Sequence, residues 1–354
     1  MSNFDLSRRQ ALAAAAGFGA ASALGARILT PTPALAKAPF SAVKSAGFYT
    51  FKHGDAQVTV VSDGPLAFGD GRKLMKERTM EDMAKQLEGN FLAADNMVLE
   101  QNITVVNTGS NLAIIDTGMG ASKMFGDNQG RLPANLKAAG IDPAAIDTVI
   151  LSHCHPDHAG GLVDAAGKSV FPNAQIYVNE ADFKFWTDEA NLKNEGIKAF
   201  VELARANLMP HKDKITFIKG GQEVITGITA MDAPGHTLGH TIFLVASAGK
   251  TLAVTADTGH HYVLMVETPK IEFSYDMDSK QAVQSRLKVW DMLAKDRIPF
   301  IGFHFPWPGL GNLAKTGPDA YRFFQTPVNT SMSPLSPSAA LAWGEGHAAG
   351  MSST

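Results

Sequence analysis

The stretch "LSHCHPDHAGG", residues 151–161, places His153, His155, Asp157 and His158 within six consecutive positions. The whole chain has only 11 histidines in 354 residues, so the loop concentrates them. It follows "IDTVILSH" (146–153), a short apolar run of the kind that forms a buried strand, which delivers the cluster at its C-terminal end. Imidazole and carboxylate together suit zinc and similar divalent ions. A loop leaving a strand turns alternate side chains inward, so His153 and His155 are expected to face one ion. Asp157 and His158 lie further along and are expected to face a second, with Pro156 stiffening the turn between the pairs. The alternative is a polar loop whose histidines cap backbone groups, and it does not account for this density.

Two ions need more ligands than this loop supplies. "DAPGHTLGH" (232–240) offers His236 in a Gly-rich turn just before an apolar strand. "TLAVTADTG" (251–259) offers Asp257, and "FIGFHFPWPG" (300–309) offers His304, each at the end of an apolar strand. Alone, each would read as an ordinary surface or capping residue. Together with the loop they complete a two-metal set.

The rest of the chain bounds the fold and the partners. Hydrophobic residues make up 45% and charged residues 18%, enough apolar content for a sizeable core. A formal net charge of −3 and the lack of a basic stripe argue against nucleic acid as a partner. The single cysteine, Cys154, excludes an internal disulfide and any zinc site built on several cysteines. Residues 1–36 carry Arg8–Arg9, an Ala/Gly-rich run and "ALA" at 34–36, the layout of a twin-arginine export signal cut after Ala36. The mature protein is therefore expected in the periplasm or secreted, with no stable membrane anchor once the signal is removed.

Hairpins are expected over 48–64 and 101–118, and helices over 80–89, 131–141, 196–208 and 278–296. In the last helix Asp278 is the expected cap, and Val283, Leu287, Trp290 and Leu293 or Ala294 the expected buried stripe. Further strands are expected at 174–179, 214–219, 241–247 and 250–257, with 298–305 as the last core strand. A single domain over 37–330 and a flexible tail over 331–354, rich in Ser, Pro, Ala and Gly, complete the expected organisation. The order β-rich, βα, β-rich, βα points to two sheets packed together with helices outside.

"HCHPDHAGG", "DAPGHTLGH", "ADTG" and "GFHFPWPG", in that order, resemble the metallo-β-lactamase superfamily over roughly residues 45–325. "VNTGSNLAIIDTG", "GRLPANLKAAG", "FPNAQIYVNEADF" and "AYRFFQTPVN" are similar to its methyl parathion hydrolase branch, which also contains lactone- and arylester-cleaving enzymes. The resemblance implies an α/β fold, a four-layer αβ/βα sandwich of two mixed sheets packed face to face. It implies one metal at His153, His155 and His236, a second at Asp157, His158 and His304, and Asp257 bridging both. Asp116 matches a supporting aspartate, and His240 the second histidine of a "GHTxGH" turn that holds the loop. Two divalent ions, expected to be zinc, would activate a shared water as the nucleophile. Asp157 and Asp257 thereby enter the reaction.

The same branch implies an aromatic pocket, with Phe68, Phe125, Phe183, Trp186 and Phe200 as candidate walls, and a homodimer. The chain departs from the branch at "TGHHYVLM", where His260 and His261 stand at positions the organophosphate hydrolase keeps apolar. His260 is either a hydrogen-bond donor or acid for the leaving group, or a residue of the pocket rim. The expected substrates are lactones, aryl esters or phosphotriesters. Thioester hydrolysis of the glyoxalase II kind, iron-based redox chemistry and a non-catalytic metal-binding role are the alternatives.

Overall fold

Alternation along the strands builds the layers. In the computed structural model, which describes residues 45–328, Val58 and Val60 of one strand face one core while Val61 faces another. Ala113 and Ile115 likewise oppose Ile114, and Leu252 and Val254 oppose Ala253. Side chains of period two feed two different cores only where a sheet is covered on both faces.

The strands in chain order are β1 Phe48–His53, β2 Ala56–Ser62, β3 Leu66–Gly69, β4 Met75–Lys76, β5 Met97–Leu99 and β6 Asn102–Asn107. There follow β7 Leu112–Ile115, β8 Thr148–Ile150, β9 Gln175–Asn179, β10 Ile215–Ile218, β11 Glu223–Ile225 and β12 Ile228–Asp232. The last are β13 Thr241–Ser247, β14 Lys250–Val254, β15 Glu272–Phe273, β16 Phe300–Ile301, β17 Leu310–Gly317 and β18 Ala320–Gln325. Two seven-stranded mixed sheets form, in the orders β1-β2-β6-β7-β8-β9-β10 and β11-β12-β13-β14-β16-β17-β18. Their facing sides share a core that includes Val60, Val106, Ile150, Phe243, Val254 and Ile301.

Helices cover the outer faces. Leu132 and Leu136 of α1, Leu132–Ala138, and Val201, Ala204 and Leu208 of α2, Lys198–Leu208, pack on the first sheet. Val289, Trp290 and Leu293 of α3, Ser279–Lys295, pack on the second. The expected four-layer sandwich is the observed one. Among the described residues no helix is long and apolar enough to cross a membrane. The expected signal segment and C-terminal tail lie outside the described residues.

Two expectations change. The run 298–305 is not the last core strand: only Phe300–Ile301 pair, and the hairpin β17–β18 follows at the sheet edge. Its strands are buried on part of their length, so no apolar run marks them. The stripe of α3 is turned by about one residue. Ala282, Arg286, Val289, Trp290 and Leu293 are buried, and Asp278 caps the helix by accepting from the Gln281 N–H at 3.0 Å. A charged residue occupies a core position that a reading for apolar spacing passes over.

Trp290 is fully buried, and its indole N–H donates to the Met265 carbonyl at 3.1 Å. Trp290→Ala is expected to lower unfolding free energy by about 3–5 kcal/mol, measured by urea denaturation. A change under about 1 kcal/mol would show that this side chain does not hold α3 to the second sheet.

Candidate metal centre

Every candidate ligand leaves the C-terminal end of a strand. His153, His155, Asp157 and His158 follow β8, His236 follows β12, Asp257 follows β14 and His304 follows β16. These ends gather along one edge of the sandwich. Asp116, just after β7, has φ +66°, and Ala256, just before Asp257, has φ +42°. Non-glycine residues pay for such backbone, and the strain aims both carboxylates inward. In the opening loop, a Cβ on Gly161 would lie 2.0 Å from the Thr117 carbonyl oxygen, so only glycine lets that loop close on the neighbouring one.

The seven residues form two groups whose candidate ligand atoms lie within 4.8 Å of one another. One comprises His153, His155, His236 and Asp257, the other Asp157, His158, His304 and Asp257. Asp257 belongs to both. Its Oδ2 is 3.2 Å from His236 Nε2 and its Oδ1 is 3.2 Å from His158 Nε2. His304 Nε2 stands 3.4 Å from both Asp157 Oδ2 and Asp257 Oδ2.

The surroundings set the proton on each ring. His158 Nδ1 donates to Asp116 Oδ2 at 2.8 Å, His236 Nδ1 to Asp276 Oδ1 at 2.9 Å and His304 Nδ1 to the Glu100 carbonyl at 2.8 Å. The Ser152 hydroxyl donates to Asp116 at 2.8 Å, so its oxygen takes the His153 Nδ1 proton at 3.0 Å. In all four neutral imidazoles the bare lone pair is then on Nε2, turned inward. His153 Nε2, His158 Nε2 and Asp257 Oδ1 are buried without a hydrogen-bond partner. Buried polar atoms left in that state are costly, and a cation in each group would satisfy them: His153 in the first, His158 in the second, with Asp257 common to both. The donor set fits two divalent ions.

Without cations, the buried carboxylates draw protons instead. Burial opposes a charge on His236, yet hydrogen bonds to Asp257 and Asp276 outweigh it and lift its pKa to about 9. His158 is raised for the same reason, burial being overcome by Asp257, Asp157 and Asp116. Burial would raise Asp157, but His158 and His304 bring it down to about 2. His153 and His155 go the other way, pushed well below the usual range by burial and neighbouring imidazoles.

Above the cluster opens a narrow cavity lined by Leu66, Phe68, Leu99, Phe125, Phe200, Phe273 and Tyr275. His155, Asp157, His236, Asp257, His260 and His304 form its floor. Of the five candidate wall residues, Phe68, Phe125 and Phe200 line this cavity. Phe183 and Trp186 do not line it. Trp186 is buried behind His155, ring centroids 4.9 Å apart, and Phe183 packs on Phe217 at 5.4 Å. Both lie on the helical segment after β9, whose apolar side supports the first sheet's outer core. Tyr275 and Phe273 were missed because "EFSYD" gives no ligand pattern; Tyr275 stacks on Phe200 at 6.2 Å and 8°.

His260 is 3% exposed, its Nε2 is 3.0 Å from Asp257 Oδ2, and burial holds its pKa down to about 4. It stands on the floor and not at the rim. His261 points elsewhere, accepting the Val263 and Leu264 N–H groups at its Nδ1. His240 accepts the Asp257 N–H at Nε2, 3.0 Å away, and donates to the Ala233 carbonyl, so it holds the loop. Cys154 points into the apolar core of the first sheet, and burial pushes its thiol well above the usual range.

Three further supports carried no sequence signal. Asp182 accepts the Cys154 N–H at 2.8 Å and the Gly239 N–H at 2.7 Å, tying the two histidine loops together. Asp63 accepts from Met119, Gly130 and Leu132, and burial raises it to about 6. Asn102 donates to the Gly302 and Phe305 carbonyls on either side of His304.

Known proteins resemble this chain in sequence and fold. The family described as the metallo-beta-lactamase superfamily matches residues 97–303. An N-acyl homoserine lactonase of Bacillus cereus is 26% identical over 208 residues, 53% of this chain and 75% of that one. The lactonase of Bacillus thuringiensis is 29% identical over a segment that spans 43% of its own length. Among solved structures, the hydrolase AbOPH superposes with a TM-score of 0.75 at 29% identity, covering 81% of this chain and all of that one. AidC, a dizinc quorum-quenching lactonase seen with its product N-hexanoyl-homoserine, gives 0.73 at 29%, covering 80% and 99%.

Because His236 and His158 hold protons in the cation-free chain, metal must displace them. Zinc added to chelator-stripped protein in weak buffer is expected to release protons at pH 7. Apparent affinity should rise as pH increases from 6 to about 9, the His236 value. Uptake without proton release would contradict these charge states. Cys154 is expected not to react with a thiol reagent until the chain unfolds; rapid labelling of the native protein would contradict its placement.

Proposed function

The chain belongs to the metallo-beta-lactamase superfamily and is a metal-dependent hydrolase, and we propose that it uses two zinc ions to cleave lactones and related esters. The observation that carries the reading is the double His/Asp cluster sharing Asp257 at the floor of an aromatic cavity. Named lactonases among its relatives, one of them dizinc, support the substrate class.

Two such ions, when bound, lower the pKa of a shared water and stabilise charge on the attacked centre and leaving oxygen. The chain's own residues do the rest. Asp257 places Oδ2 beside His236 and His304 and Oδ1 beside His158, so this one carboxylate reaches both groups of ligands. Asp157, between His158 and His304, keeps a negative charge beside the second group. Phe68, Phe125, Phe200 and Tyr275 form apolar walls that seat the substrate body and exclude bulk water. His260 is neutral at pH 7 and sits beside Asp257, within reach of an oxygen leaving the floor of the cavity. In lactone hydrolysis water adds at the carbonyl carbon, the ring C–O bond breaks, and the leaving oxygen takes up a proton.

The three substrate classes share an electrophile flanked by oxygen, so aryl esters and phosphotriesters form the second reading. Export through the Arg8–Arg9 segment and assembly as a homodimer belong to the same proposal.

Asp257→Ala is expected to lower kcat/KM for the best substrate by at least about 10³-fold, because it removes the shared ligand. Near-full rates would sink the bridging role. His260→Ala is expected to keep both metals and lose about 10²-fold in kcat; an unchanged kcat would remove His260 from the chemistry. A panel of acyl homoserine lactones, aryl acetates and a dialkyl aryl phosphate, assayed on zinc-loaded protein, ranks the substrates. No turnover of any member by protein holding two zinc ions would overturn the hydrolytic reading.

A further inference from the structure

The core position that α3 gives to a charged residue leads to a chain of contacts ending at the first metal group. Arg286 is 1% exposed. Its Nε donates to the Thr258 carbonyl at 2.8 Å, and its Nη1 to the Pro269 and Ile271 carbonyls at 2.8 and 2.7 Å. These carbonyls bracket the segment that begins one residue after Asp257 and carries His260. The remaining arm, Nη2, faces Asp276 Oδ2 at 3.7 Å. Asp276 is itself buried, and Oδ2 has no hydrogen-bond partner. Its other oxygen accepts from His236 Nδ1 at 2.9 Å.

An isolated carboxylate is expensive in such a place, and so is an isolated guanidinium. Three carbonyls hold the guanidinium and His236 holds one carboxylate oxygen, and the facing charges of Arg286 and Asp276 complete the compensation. The pairing leaves Asp276 an acceptor and nothing else, which requires the proton of neutral His236 to be on Nδ1. His236 Nε2 is then a lone pair turned to His155 Nδ1 at 2.9 Å and Asp257 Oδ2 at 3.2 Å. The contact does for His236 what Asp116 does for His158, from an unrelated element and through a different sheet.

We propose that Asp276 and Arg286 are positioning residues for the metal held by His153, His155 and His236: Asp276 fixes the tautomer and direction of His236, and Arg286 supplies the counter-charge that keeps Asp276 in place while clamping the 258–271 segment. This rests on the two-metal reading of the site. Neither residue touches Asp157, His158 or His304 in any hydrogen bond or ion pair of the described residues, so the contact of Asp276 with His236 bears directly on one of the two groups, while Arg286 also holds the segment that follows the shared Asp257.

The test is Co²⁺ titration of metal-free wild type, Asp276→Asn and Arg286→Met against a competing chelator, read by bound equivalents and by the visible bands of each site. Asparagine keeps the shape, but its amide is free to present N–H to Nδ1, which moves the imidazole proton to Nε2 and blocks the ligand position. Wild type is expected to bind two equivalents. Asp276→Asn is expected to bind one as tightly as wild type and the other about 10–100-fold more weakly. Arg286→Met should weaken the same equivalent. If Arg286→Met fails to fold, Asp276→Asn decides alone, with its circular dichroism spectrum matched to wild type. Both equivalents held by Asp276→Asn at wild-type affinity would overturn the proposal, as would equal weakening of two. A wild type that binds a single ion, still weakened by Asp276→Asn, would overturn the two-metal reading while supporting the role of Asp276.

Discussion

Asp257 is a carboxylate held 3% exposed among the rings of His153, His158, His236, His260 and His304. A buried charge of this kind persists only with compensating positive charge close by. Everything around it serves that need. Imidazoles surround it, and the outer nitrogens of His158, His236, His153 and His304 are tied to Asp116, Asp276, Ser152 and the Glu100 carbonyl, so that their inner nitrogens face it. Protons answer the need in the cation-free chain. Divalent ions in the two groups, as proposed, would answer it better, because they would also satisfy the lone pairs that protons leave competing.

The sandwich makes this placement feasible. Parallel alignment of β7 with β8, and of β14 with β16, sends several C-terminal ends to the same edge. Each sheet contributes one part of the donor set: the β8 loop from the first, and the turns after β12, β14 and β16 from the second. The shared core between the sheets therefore fixes the distance between ligands that are far apart in sequence. Supports cross that boundary as well. Asn102 of β6 holds the His304 turn, and Asp182 joins the Cys154 and Gly239 backbones.

The fold was legible because its strands carry apolar runs bounded by Gly, Asn and Asp turns, and because the ligands come in dense, spaced groups. His153, His155, Asp157 and His158 announce themselves by proximity in the chain. His236, Asp257 and His304 follow from strand ends. What was illegible has a common cause. Arg286, Asp276, Asp182, Asp63 and Asn102 act on residues tens to hundreds of positions away, through single hydrogen bonds or a charge pair, and no local pattern encodes such pairings. The pocket walls divide in the same way. Phe68, Phe125 and Phe200 reach the cavity, whereas Trp186 and Phe183, similar in type, turn to the core behind it. An aromatic side chain suits either place, so its type alone does not tell them apart.

The central claim is that Asp257 stands between two metal ions. Anomalous X-ray diffraction from crystals of the zinc-loaded protein, collected on both sides of the zinc absorption edge, tests it most directly. Two peaks are expected to flank Asp257, one among His153, His155 and His236 and the other among Asp157, His158 and His304. A single peak, or a peak away from Asp257, would contradict it.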